Sequence, residues 1–366
     1  MKYICLILFG AVFSANAQNV HQLLLGHLDP TSENPVNSIS LLIKTNDSTL
    51  IDKVVGLREQ NGEKAETTDQ FRTASSTKTF IATIILQMEE EGVFTLSDNI
   101  YPYLQNIEYL RLDDFHFYEG LAFAKEMNIE QLLAHKSGLA DIFNDKQEAF
   151  FARVMQNPQL QYQPKTIVDL YFELGLYKEA KFKPGEGWHY SDMNYVLLGL
   201  LIEKLDQKSL SQSIRDRILY PLKMKDTYFE FYEKTHSSNG RIHQYVGNTD
   251  FNTINTSFDW SGGGLVSTHQ DLAVFIEALF EGKLISEQSL QKMITVQPTE
   301  ETHLPYGLGV YQSVYDGHTF YGHYGFYGTY IGYSPESKTV LSYCISQATP
   351  SFNTYKFVNY LIENSK

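Results

Sequence analysis

Hydrophobic positions along this chain change their spacing from region to region, and each change predicts a different kind of element. Near the N-terminus, Ser38 to Lys44 and Lys53 to Arg58 are rich in Ile, Leu and Val. They predict two strands joined by the turn-like Thr45-Asn46-Asp47-Ser48. From Phe80 the period lengthens. Phe80, Ile81, Ile84, Ile85 and Met88 recur three and four apart, the stripe of a helix anchored in a core, and Gly92 stops it. From about Leu96 to Glu300 helical spacing dominates, most clearly at Thr166–Lys178, Tyr195–Leu205 and Gln270–Phe280. Strand patterning returns at Gly307–Val314, Thr319–His323, Thr329–Ser334 and Thr339–Ile345, and a last helix is expected at Thr354–Glu363. Strands at both ends with helices between predict an α+β fold. Its mainly antiparallel sheet is built from both chain ends (about 18–95 and 301–366), with a helical lobe (about 96–300) inserted.

The first 17 residues follow another pattern. Lys2 precedes an apolar stretch from Tyr3 to Ser14, and Ala15-Asn16-Ala17 offers small residues for cleavage before Gln18. That predicts a secretory signal cut after Ala17, too short to span a bilayer, and a periplasmic or secreted mature chain of residues 18–366. Cys5 leaves with the signal. Cys344, in strand-like Val340–Ile345, is expected as a small buried hydrophobe, so a packed core must stabilise the chain without a disulfide. The net charge of −14 without a basic patch argues against nucleic acid as a partner. The 11 histidines form no HExxH or Cys/His cluster, so neither metal nor cofactor is expected. A small-molecule or peptide substrate is the expected partner, with no membrane span and an oligomeric state that the sequence leaves open.

Ser75-Ser76-Thr77-Lys78 is the chain's most informative chemistry. The spacing sets a hydroxyl and an amine on one helix face, where the amine can take the serine's proton. Such a tetrapeptide arises by chance about once or twice in a chain of this length, and Ser289-Leu290-Gln291-Lys292 is a second instance in an ordinary surface helix. Context separates them, because only Ser75 stands where a long apolar stripe begins, at the positive end of a helix dipole. Two further segments carry candidate chemistry. Tyr190-Ser191-Asp192 follows the tight loop Pro184-Gly185-Glu186-Gly187, and a tyrosine there can pass protons if a nearby cation lowers its pKa. His323-Tyr324-Gly325 lies in a strand with repeated glycines, which mark close approach of a ligand or another backbone. Taken singly, each has a plainer reading, a half-buried loop tyrosine and a solvent-facing strand histidine.

In this order the three segments resemble the motifs of the serine β-lactamase and penicillin-binding protein superfamily, on its class C β-lactamase and DD-peptidase side: SxxK, a tyrosine motif, then a KTG or HxG strand. Gln131–Leu139 resembles the HxSGL segment of that family, Pro221-Leu222-Lys223-Met224 its PLGM turn, and Gly262–Thr268 its glycine-rich GGL segment. The resemblance implies that Ser75 is acylated, Lys78 is its base and Tyr190 carries protons. It implies an oxyanion hole from the N–H groups of Ser75 and Phe326. It also implies that Asp192, His323, Tyr324 and Gly325 shape the substrate site, with Lys78 kept partly neutral by burial and a positive neighbour. Three departures stand out. Ser97-Asp98-Asn99 is placed for a turn or helix cap. Asp192 replaces an asparagine that can donate to a carbonyl. Tyr324 replaces a small hydroxyl residue, beside a histidine in place of lysine. The implied activity is an exported acyl-enzyme hydrolase of an amide or ester, such as a D-amino-acid peptide, amide or carboxylic ester. A β-lactamase, a DD-carboxypeptidase and a non-catalytic cell-wall-peptide binder are the alternatives.

Overall fold

The computed structural model describes residues 19–45, 48–235, 237–299 and 303–363. The expected signal segment with Cys5, and Asn46-Asp47 of the first turn, lie outside them. Ser38–Thr45 (β1) and Thr49–Gly56 (β2) pair with each other, and four C-terminal strands complete the sheet: Tyr311–Tyr315 (β3), His318–Gly325 (β4), Thr329–Ser334 (β5) and Thr339–Ile345 (β6). The order is β3-β4-β5-β6-β1-β2, and every neighbouring pair is antiparallel. The seam between the chain ends sets Ile39 opposite Ile345 and Ile43 opposite Leu341. The fold is α+β with a sheet drawn from both ends, as the spacing predicts.

Both faces of the sheet are covered. The outer face sends Ile39, Leu41, Ile43, Tyr330 and Leu341 into a cluster with Phe357, Val358, Leu361 and Ile362 of the last helix, Thr354–Glu363. The inner face, through Leu42, Ile331 and Val340, joins a larger core. That core holds helix α1 (Thr77–Glu90), α2 (Asp192–Asp206) and α3 (His269–Phe280). On the inner face His269 spans the strands, its Nδ1 2.7 Å from Ser342 Oγ and its Nε2 2.8 Å from Ser40 Oγ. Burial pulls that imidazole down to about 3, so it stays neutral. Cys344 is buried in β6, and burial raises its thiol well above the usual range, which keeps it inert.

Element edges differ from the sequence expectation where glycine redirects the backbone. The strand expected at Gly307–Val314 begins only at Tyr311, because Gly309 takes φ +74° and Gly307 N–H closes a turn onto Val310 O at 2.8 Å. The helix expected through Lys178 stops at Glu173, and Gly175 (φ +75°) opens a separate short turn over Leu176–Lys178. No helix among the described residues is long and apolar enough to cross a membrane.

Candidate active site

Ser75 sits in a tight turn, Ala74–Ser76, that runs directly into α1. Ala74, the residue before it, has φ +47°. A left-handed alanine costs about 1–2 kcal/mol, and such strain persists only where the surroundings impose it. Here three tethers do so. Thr73 Oγ1–H donates to Leu265 O at 3.0 Å, Thr329 Oγ1–H to Thr73 O at 3.1 Å, and Ser76 Oγ–H to His323 O at 2.9 Å. The turn is thus pinned between the end of β4 and the strand Leu265–Ser267. Gly325 completes the clamp: a Cβ there would collide with Thr73 O and Thr329 Oγ1.

At the second position of α1, three residues after Ser75, the Lys78 side chain is fully buried. Its Nζ donates to Ser75 Oγ at 3.0 Å, to Asp192 Oδ1 at 2.5 Å and to Gly262 O at 2.8 Å. Three oxygens match the three N–H bonds of an ammonium. The positive neighbour expected beside Lys78 is therefore corrected to a carboxylate. Asp192 stands in place of asparagine as the counter-ion of this lysine.

Tyr190 hydrogen-bonds the Ser75 side chain, and Lys78 Nζ lies 5.0 Å from its ring centroid. Despite that cation, burial and then the Asp192 charge raise the phenol well above its usual value. Tyr190 therefore keeps its phenolic proton in the resting site. Its position is fixed by the segment His135–Asp141, which grips residues 189–194 from below. His189 N–H donates to His135 O at 3.0 Å, Ser191 Oγ–H to Ala140 O at 3.0 Å, and Asp192 N–H to Asp141 Oδ1 at 2.8 Å. His135 Nδ1 accepts from Ser191 N–H (3.2 Å) and Asn194 Nδ2 (3.1 Å), which leaves the ring proton on Nε2. Its ring stacks on Tyr190 at 4.2 Å, and burial, then the Lys78 charge, holds it neutral. His135 acts as a flat neutral plate behind the tyrosine. Burial and the neighbouring Asp192 push the Asp141 carboxyl up.

The third segment divides by strand alternation. His323 points inward and is buried; its Nδ1–H donates to Tyr324 O at 2.7 Å, so Nε2 accepts from Tyr306 OH at 3.1 Å. Burial, then the Lys78 charge, pulls it down to about 3. Tyr324 points to the opposite face. Its hydroxyl is 2.8 Å from Ser313 Oγ and 2.9 Å from Tyr315 OH, and its ring packs against the outer cluster. The expectation that Tyr324 meets substrate is corrected, because a strand sends successive side chains to opposite faces. His323 and Gly325 are also absent from the pocket wall, the one behind it and the other pressed on Thr73. Phe326, which follows them, does line it.

The pocket next to Ser75 is walled by Phe143, Phe151, Phe258 and Phe326, with Tyr190, Tyr327, Asp192 and Asp259 as its other charged or proton-bearing groups. Asn144, Gln147 and the Gly262-Gly263 backbone complete it. Asp259, Asp141 and the Gly262 carbonyl are site groups that sequence reasoning passed over. Asp141 was within reach, two residues after the Ser137-Gly138-Leu139 segment. Asp259 had no spacing signal beyond standing just before the Gly262–Thr268 run.

The decoys resolve cleanly. Ser97-Asp98-Asn99 is a turn in which Asp98 Oδ2 accepts from Thr95 N–H at 3.1 Å. In the second SxxK, Lys292 Nζ pairs with Glu89 Oε2 at 2.8 Å, and the Ser289 hydroxyl lies 3.3 Å from Ser286 Oγ.

Comparison with known proteins agrees with this architecture. A family model described as Beta-lactamase matches residues 32–362. Protein flp of Staphylococcus aureus (strain MW2) is 31% identical over 212 residues, 57% of this chain and 36% of that protein. The chain thus spans about a third of the length of that relative. The crystal structure of D-amino acid amidase from Ochrobactrum anthropi SV3 complexed with L-phenylalanine amide has a TM-score of 0.77 at 24% identity, covering 96% of this chain and 98% of that one. D-stereospecific amidohydrolase from Streptomyces sp. gives 0.76 at 23%, over 92% and 97%. At these identities the structural likeness speaks for the fold. Since the family model runs through both sheet-forming ends and the helical middle alike, the chain belongs to the Beta-lactamase family.

Proposed function

We propose that residues 18–366 form one exported hydrolase domain that cleaves an amide or ester through an acyl-enzyme on Ser75. The observation that carries this reading is the convergence of Lys78 Nζ, 3.0 Å away, and the Tyr190 hydroxyl on one serine oxygen at the wall of a pocket. Lys78 first gives one ammonium proton to Asp192, and its amine then accepts the Ser75 proton as Oγ attacks the carbonyl carbon, with Asp192 beside the ammonium that forms again. Tyr190 gives its phenolic proton to the departing nitrogen or oxygen and recovers one from Lys78. Water then attacks the acyl group by the reverse proton path. The oxyanion forms against the N–H groups of Ser75 and Phe326, whose residues both line the pocket.

Tyr324 faces away from this pocket, so it places no bar on a substrate carboxylate. What does act against an anion is the Asp259 carboxylate in the wall, since the Asp192 charge is already matched by Lys78. Amides and esters therefore rank above cephalosporins as substrates. A panel of p-nitrophenyl esters, D-amino-acid amides, D-alanyl peptides and nitrocefin tests this. The expected result is an initial burst of product equal to the enzyme concentration with an ester or amide. Nitrocefin turned over with the highest kcat/KM of the panel would reject the reading.

A further inference from the structure

Asp259 has no role in the proton path just described, yet it lines the same pocket. A Cβ placed on Gly263 would lie 3.2 Å from Asp259 Cβ and 3.3 Å from the Ala74 carbonyl carbon. The carboxylate therefore flanks the Ser75 turn itself. Among the described residues its one side-chain hydrogen bond comes from Tyr327 OH, at 2.8 Å to Oδ2.

Arg72 and Lys78 act on it only from a distance, and no ion pair is formed with it among the described residues. The pocket wall contains no Lys, Arg or His. Lys78 is already paired with Asp192. Arg72 is held by Glu230 (Nε to Oε2, 2.6 Å) and by the carbonyls of Phe251 and Ile254. Burial accordingly pushes the Asp259 carboxyl up to about 7. A largely buried carboxylate with one oxygen free of hydrogen bonds and no directly paired cation is the acceptor that a ligand ammonium completes.

The rest of the wall specifies what accompanies that ammonium. Phe143, Phe258, Phe151 and Phe326 supply the apolar part of the wall, with Phe151 and Phe326 stacked at 6.3 Å and Phe326 44% exposed. An apolar side chain gains by leaving water there, and a second negative charge would lose. Resting on the reading of Ser75 as nucleophile, we propose that the acyl group is an α-amino acyl group with a free ammonium and an apolar, preferably aromatic, side chain, and that Asp259 is the residue that holds the ammonium.

Binding without turnover tests this separately from the chemistry. 2-Phenylethylamine and 2-phenylethanol share size and ring and differ in the ammonium. Titration calorimetry on the wild-type chain is expected to show the amine bound about 10-fold or more tighter than the alcohol. Affinity for the amine should rise between about pH 5 and about pH 8, as Asp259 loses its proton. Asp259→Asn should remove most of that preference while keeping the affinity for the alcohol within about threefold. Equal affinity of the wild-type chain for the two compounds, no binding of the amine, or an undiminished preference in a folded Asp259→Asn variant would overturn the proposal. None of these readouts needs an acyl-enzyme, so failure of Ser75 to acylate is seen independently.

Discussion

The chain contains the same tetrapeptide pattern twice, and of the two serines Ser75 lines a pocket while Ser289 is buried against its own helix start. At Ser75 the hydroxyl stands on a strained turn, its lysine is fully buried, and that lysine donates to the serine itself. At Ser289 the helix Glu287–Ile294 is regular, Lys292 is 40% exposed, and its partner is Glu89 rather than the serine. Sequence spacing is identical in the two. What differs is the acceptor set around the amine and the presence of a second segment, Tyr190, delivered from a distant part of the chain. A nucleophile is made by its surroundings, and the tetrapeptide only permits it.

The sharpest way to break this contrast is to remove each serine. Ser75→Ala should lower turnover on the order of 10⁶-fold, as loss of a serine nucleophile does elsewhere, whereas Ser289→Ala should leave kcat/KM of the best ester within twofold or so. Comparable losses in the two variants would erase the distinction. Next come the proton carriers. Lys78→Ala and Tyr190→Phe should each reduce kcat by about 10²–10⁴-fold with circular dichroism unchanged. Near-full activity of Tyr190→Phe on every substrate would assign that proton to another group or to water.

Stability separates the two lysines as well. Asp192→Ala strands a buried Lys78 and should cost about 3–5 kcal/mol, read from denaturant midpoints. Lys292→Ala breaks a partly exposed pair and should cost about 1 kcal/mol or less. Similar costs would mean that the Lys78 pair is solvated far more than its geometry shows. Gly325→Ala sharpens the role of the clamp: its Cβ meets Thr73 O and Thr329 Oγ1, so about 1–3 kcal/mol of strain is expected. A loss in kcat larger than the loss in stability explains would locate that strain at the Ser75 turn.

Local periodicity carried much of the fold. Thr329–Ser334, Thr339–Ile345 and Thr354–Glu363 appear with the boundaries that their spacing predicts, because the two strands are buried on both faces and the helix on one. Spacing fails where glycine turns the backbone, as at Gly309 and Gly175. It fails more instructively at Tyr324. Alternation says that His323 and Tyr324 point opposite ways, but only the packed sheet says which face meets the cleft. The Lys78–Asp192 pair and the Lys78–Gly262 bond join residues 114 and 184 positions apart, and nothing local marks such contacts. Asp259 was invisible for the same reason, since its meaning comes from the cations that are elsewhere engaged.

The central claim, that one of two like serines is the acylated one, is tested most directly by mapping the adduct. After reaction of the whole chain with a fluorophosphonate probe, intact-mass analysis should show a single adduct. Digestion should then place it on the peptide containing Ser75, with labelling abolished in Ser75→Ala. An adduct on the peptide containing Ser289, or labelling that survives Ser75→Ala, would contradict the account.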